Sequence, residues 1–158
     1  MKTIKRTPEA EALTELILTL FRANSVVMTW GDRIVGPLGL TSARWQILGA
    51  MVAADRPQPV AWYARDLSAN RQNIQRIVND LERDGLVVFQ PNPHHRRAQL
   101  VALTDKGKET FDAAIRRYNP LINKISKKFT IKDVQTAHQI VAELRNTIEG
   151  GSAHEEQS

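Results

Sequence analysis

The sequence predicts a mainly α-helical protein carrying one small β-hairpin. Three observations carry that reading. Apolar residues recur at three- and four-residue spacing over most of the chain, capping residues sit where those runs begin, and one pair of branched segments flanks a polar turn.

The first helix opens at Thr7, which can cap, with Pro8 at the first helical position and Glu9 and Glu11 near the positive end of the dipole. It is expected to reach about Ile34. Leu13, Leu16, Ile17, Leu20, Val27 and Ile34 form one stripe, and Leu18, Phe21, Val26 and Trp30 widen it, so this helix needs more than one apolar partner. Gly36, Pro37 and Gly39 interrupt the chain before Thr41 caps a second helix. There Leu40 and Trp45 are spaced as a hydrophobic staple, and Trp45, Leu48, Met51 and Val52 form the expected buried face.

After the break at Pro57 to Pro59, Val60, Tyr63, Ala64 and Leu67 mark a short third helix, and Ser68 and Ala69 make a tight link. Asn70 caps a fourth helix that ends at Gly85, suited to a left-handed cap. Residues 86–90 and 98–103 read as strands joined by Pro91-Asn92-Pro93-His94-His95-Arg96-Arg97. Thr104 and Asp105 open a fifth helix carrying Phe111, Ile115, Leu121, Ile122 and Ile125, with Pro120 expected to kink or break it near Asn119. Thr130 and Asp133 form a capping box for the sixth, whose stripe is Val134, Ala137, Val141, Leu144 and Ile148. Helix, helix, hairpin is the order of a winged helix-turn-helix.

A hydrophobic share of 42% with 25% charged residues predicts a packed core, and a net charge of +5 favours polyanionic partners. With no cysteine in the chain, disulfides, thiolate zinc sites and cysteine redox sensing are excluded. The N-terminus lacks the apolar core of a secretory signal, and no apolar run reads as a membrane span, so a cytoplasmic protein without a membrane partner is expected.

The fourth helix carries the sharpest signal. Ile74, Ile77, Val78 and Leu81 occupy one face, and Gln72, Gln75, Arg76 and Asn79 repeat the same spacing on the other. A solvated helix mixes Glu and Lys there, whereas amides and arginine are the side chains that pair with adenine and guanine edges in the major groove. Arg71 lies beside the free N–H groups of the helix start, a natural phosphate contact, and Asn73 can cap or touch a base. The hairpin tip adds His95, Arg96 and Arg97 with no acid between Gln90 and Thr104. If the tip is extended, His95 and Arg97 point to one side and Arg96 to the other, which favours Arg97 for the minor groove and Arg96 for the backbone.

The run from Leu67 to Leu81 with Gly85-Leu86, the basic tip, and Leu103-Thr104-Asp105-Lys106-Gly107 together resemble the MarR family of regulators. The resemblance implies a homodimer whose first, fifth and sixth helices intertwine, two winged lobes on double-stranded DNA, and often a small-molecule site between lobe and dimer region. It places Arg71, Gln72, Asn73, Gln75, Arg76 and Asn79 on the groove-reading helix and Arg96 and Arg97 on the wing. Two positions depart from the family's habit: His95 stands where aspartate is common, and Ser68-Ala69 where a glycine and a larger apolar residue are usual.

The expected organisation is thus an N-terminal dimerisation helix over 7–35, a DNA-binding lobe over 41–103, C-terminal dimerisation helices over 104–148 and a flexible tail over 149–158. The expected function is that of a ligand-responsive repressor binding a pseudo-palindromic site. The alternative is a winged-helix module used for protein or RNA contacts. Trp30, Arg33, Arg44 and Trp45 cluster near the junction of the first two helices as a candidate pocket for an aromatic acid, with arginine as the carboxylate partner, and a small aromatic or phenolic effector is expected. No enzyme constellation, cofactor or metal is expected, because His94 and His95 sit on a turn, His138 reads as a core or interface histidine and His154 lies in the tail.

Overall fold

The computed structural model describes residues 5–155. They divide into two compact units, Met1–Tyr118 and Asn119–Ser158. The fold is mainly helical with a small antiparallel hairpin, as the periodicities predict.

In the first unit α1 spans Pro8–Val35, with the Thr7 hydroxyl accepting the Ala10 N–H at 3.2 Å. A single 3-10 turn, Gly36–Leu38, leads to α2, Ser42–Ala54, where the Thr41 hydroxyl accepts the Arg44 N–H. Next come β1 (Gln58–Pro59), α3 (Val60–Asp66), α4 (Arg71–Arg83), β2 (Val87–Gln90) and β3 (Leu100–Leu103). The core gathers Ile47 and Leu48 from α2, Tyr63 from α3, Val78 and Leu81 from α4, and Val87 and Val101 from the sheet, all nearly inaccessible to solvent. The Tyr63 hydroxyl donates to the Val101 carbonyl at 3.5 Å, and burial pushes its pKa up.

Two expectations change here. α2 buries Ser42, Ile47, Leu48 and Met51, while Val52 is exposed and Trp45 half-buried, because the helix packs on α1, α3 and α4 at once. The prolines at 57 and 59 do more than break the chain. Gln58 and Pro59 form a third strand opposite Val101 and Leu100, giving the order β1-β3-β2, and proline is admissible because β1 is an edge. The link at Ser68 has φ 48, a left-handed conformation that favours glycine, which accounts for the residue common in the family at this turn.

α5 runs without interruption over Asp105–Ser126, so Pro120 does not break it. Proline removes only the bond to the Arg116 carbonyl, and Arg116, Asn119 and Pro120 are exposed, leaving that oxygen open to water. In the second unit α6 spans Ile131–Glu155 and passes Ile148 without ending there, through Gly150 and Gly151. Residues 156–158 of the expected tail, and the side chain of His154, lie outside the described residues. The Thr130 hydroxyl accepts the Asp133 N–H at 3.1 Å and donates to the Asp133 carboxylate at 2.6 Å, half of the expected reciprocal box. His138 is exposed rather than core.

Much apolar surface stays uncovered within the chain. Phe21, Val26 and Val27 of α1 are exposed, as are Phe129, Ile131, Val134, Ile140 and Ile148 in the second unit. Pro8–Leu38 is, contrary to the sequence reading, long and apolar enough to cross a bilayer by length and composition.

Candidate nucleic-acid interface

α4 is built to present one face. Its apolar stripe, Ile74, Ile77, Val78 and Leu81, is buried, and at roughly 1.5 to 3 kcal/mol per fully buried aliphatic side chain this anchors the helix firmly in the lobe. Asn70 caps it, its side-chain oxygen accepting the Gln72 and Asn73 N–H groups at 2.9 and 3.2 Å. Arg71, Gln72, Asn73, Arg76 and Asn79 are exposed on the other side, with Gln75 half-buried among them.

These side chains are held in relation to one another. Asn73 accepts a hydrogen bond from the Arg76 guanidinium at 3.0 Å, so it orients the arginine instead of capping. Gln75 donates to Asn79 at 2.9 Å. Such bonds reduce the rotamer freedom that long polar side chains lose on meeting a base edge. The acids nearest in sequence are engaged elsewhere, Asp80 with Arg83 at 3.0 Å and Asp66 with Arg65 at 3.7 Å.

The wing departs from the expected geometry. Its tip is folded into two successive turns, His95 N–H to Asn92 O at 3.3 Å and Ala98 N–H to His95 O at 3.1 Å. Asn92 ties the knot: its amide donates to the Ala98 carbonyl at 2.8 Å and its oxygen accepts the His94 N–H at 3.0 Å. Side chains therefore do not alternate along an extended strand, and the argument that paired His95 with Arg97 on one side falls. His95, Arg96 and Arg97 are all exposed. Arg97 nevertheless joins Arg71, Gln75 and Asn79 around a cleft of about 210 Å³ between α4 and the wing, whereas Arg96 does not line it. The sequence places Asn92 in this turn but does not show that its side chain folds the tip.

A second concavity, about 350 Å³, is lined by Trp30, Trp45, Gly49, Phe111, Ile115 and Tyr118, with Ser42 and Gln46 among its polar members. Trp30 meets Tyr118 at a tilt and Trp45 meets it edge-on, at 5.6 and 5.3 Å between ring centres. The structure thus unites the two tryptophans expected there but not the two arginines. Arg44 pairs with Asp84 and donates to the Gly39 carbonyl at 2.9 Å, and Arg33 is exposed in the last turn of α1. Trp62 is exposed beneath the Arg65 guanidinium, 5.6 Å from its ring centre. Among the described residues no cluster of three or more His, Asp or Glu could hold a metal.

The geometry accords with known proteins. A MarR family model matches residues 38–98, the winged lobe. An uncharacterized protein of Mycobacterium bovis is 32% identical over 117 residues, covering 74% of this chain and 80% of its own length. The transcriptional activatory protein BadR of Rhodopseudomonas palustris is 29% identical over 154 residues, 92% of this chain and 86% of that protein. Among solved structures, the transcriptional repressor CouR bound to a 23-mer DNA duplex superposes with a TM-score of 0.73 at 25% identity, over 90% of this chain and 99% of that one. The chain belongs to the MarR family and is a DNA-binding transcription regulator rather than an enzyme.

Proposed function

We propose that the protein is a cytoplasmic homodimer that binds a pseudo-palindromic duplex, each α4 reading one half-site in the major groove and each Arg97 entering the adjacent minor groove. The observation that carries this reading is the bipolar α4, with one face sealed in the core and the other an ordered array of amides and arginines. CouR, similar in fold over 90% of this chain and captured on a duplex, supports it. A second copy is the natural cover for the apolar faces of α1 and α6, and a bilayer is not, because Arg22, Asn24 and Ser25 sit midway along α1. Sedimentation is expected to give a dimer at micromolar concentration, and duplex affinity is expected to fall steeply with salt as phosphate contacts are screened. A monomer, or binding indifferent to salt, would contradict the reading.

The relatives divide over the sign of control, since CouR is a repressor and BadR an activatory protein. Repression is the simpler reading here, because occupying a groove blocks a promoter without any further contact surface.

The tryptophan-lined concavity is the effector site in this proposal. It takes an uncharged aromatic or phenolic molecule, because among the described residues no cation lines it and a buried carboxylate would go unpaired. 4-Ethylphenol is expected to raise the melting temperature and weaken duplex binding at concentrations about tenfold below those 4-ethylbenzoate requires, a ratio worth 1.4 kcal/mol. Equal or stronger action by the carboxylate would overturn this choice of effector class.

A further inference from the structure

Arg44 and Asp84 each stand against their own helix dipole. Arg44 is in the first turn of α2, where the helix end is positive, and Asp84 caps the C-terminus of α4, where it is negative. Local helix electrostatics disfavour both residues where they stand. They are joined to each other across 40 positions of sequence.

The pair belongs to a larger clasp. Arg44, whose side chain is 17% exposed, reaches Asp84 with one guanidinium nitrogen and the Gly39 carbonyl with another, at 2.9 Å. Gly39 follows the turn that ends α1. From the opposite side Lys106 donates to the Asp84 carbonyl and the Thr104 hydroxyl to the Gly85 carbonyl, both at 2.7 Å. α2 is itself locked to α1 by Ser42, whose N–H donates to Asp32 and whose hydroxyl donates to the Met28 carbonyl, each at 2.6 Å. The C-terminal end of the reading helix is therefore referenced to the α1–α2 joint as well as to the lobe core.

We infer that Arg44 is a positioning residue that sets the separation of the two reading helices, and with it the half-site spacing the dimer accepts. The inference rests on the dimeric reading above. The base preferences within a half-site belong to the outer face of α4 and do not depend on this residue.

The chain has no cysteine, so Glu82→Cys, exposed in the last turn of α4, gives a single site for a nitroxide label. Dipolar spectroscopy on the labelled dimer is expected to give a narrow distance distribution, broadened about twofold by Arg44→Gln as α4 samples further orientations. The exchange Arg44→Asp with Asp84→Arg, which remakes the pair with each charge now favoured by its own helix, is expected to narrow it again. On duplexes, wild type should prefer its best spacer over one a base pair longer by roughly tenfold and Arg44→Gln by less than about threefold, with half-site preference intact.

A purely structural role would lower the melting temperature of Arg44→Gln and leave the distance distribution and spacer preference unchanged, and that result overturns the inference. Failure of the exchange to narrow the distribution overturns it as well. A monomer would overturn the dimeric reading and this inference with it, whereas an unaltered dimer overturns the inference alone.

Discussion

Arg76→Ala is expected to raise the dissociation constant for the preferred duplex about 5- to 150-fold, the equivalent of roughly 1 to 3 kcal/mol for a lost bidentate base contact. Arg76 is exposed and its partner in the free protein is Asn73 on the same helix, so truncation leaves the core untouched. Folding stability should stay within about 0.5 kcal/mol of wild type. Gln72→Ala should behave alike on a smaller scale, since Gln72 is likewise exposed on the outer face of α4. The informative readout is position by position. Losing a base contact relaxes preference at one base pair in each half-site, whereas losing a phosphate contact at Arg71 weakens all duplexes alike and lowers the salt slope by about one. If Arg76→Ala and Gln72→Ala both bind the preferred duplex as wild type does, α4 is not the reader.

Gly107→Ala is expected to destabilise the lobe by about 3 kcal/mol, at the upper end of overpacking costs, and to lower the melting temperature by roughly 6 to 12 °C. A Cβ at this position would lie 2.0 Å from the Leu86 carbonyl oxygen and 3.1 Å from the Leu103 side chain. Backbone cannot swing aside as a long side chain can. The same carbonyl accepts the Thr104 N–H at 3.1 Å, so relieving the overlap pulls α5 away from the base of the wing. Gly150, with open space around it, is the matched control in which alanine should raise stability slightly or leave it unchanged. Urea unfolding of both variants decides the matter, and a midpoint for Gly107→Ala equal to wild type would mean that Gly107 does not lie this close to the Leu86 carbonyl.

The parts of this protein legible in its sequence are those governed by local rules. Thr7, Thr41 and Asn70 cap where their chemistry allows, Gly85 takes φ 73, and the two stripes of α4 separate because helical period alone assigns their faces. What escaped depends on neighbours distant in the chain. Gln58 and Pro59 become a strand only because β3 offers an edge, and Val52 yields its expected buried place to Ile47 because three helices press on α2. Proximity in sequence groups Arg44 with the tryptophans, but its length lets it turn away to Asp84, a choice no helical wheel contains. The wing tip misled for a different reason. Alternation assumes an extended chain, and a single asparagine side chain can replace that conformation with turns.

The central claim, that two copies of α4 read two halves of one site, meets its most direct test in selection of duplexes from a random pool by the wild-type protein at moderate salt. The account predicts enrichment of an inverted repeat whose half-sites are centred about one helical turn apart, roughly 10 base pairs, and recovery of the same repeat in independent selections. Enrichment of no sequence over the starting pool, or of a single unrepeated element bound by one chain, would contradict it.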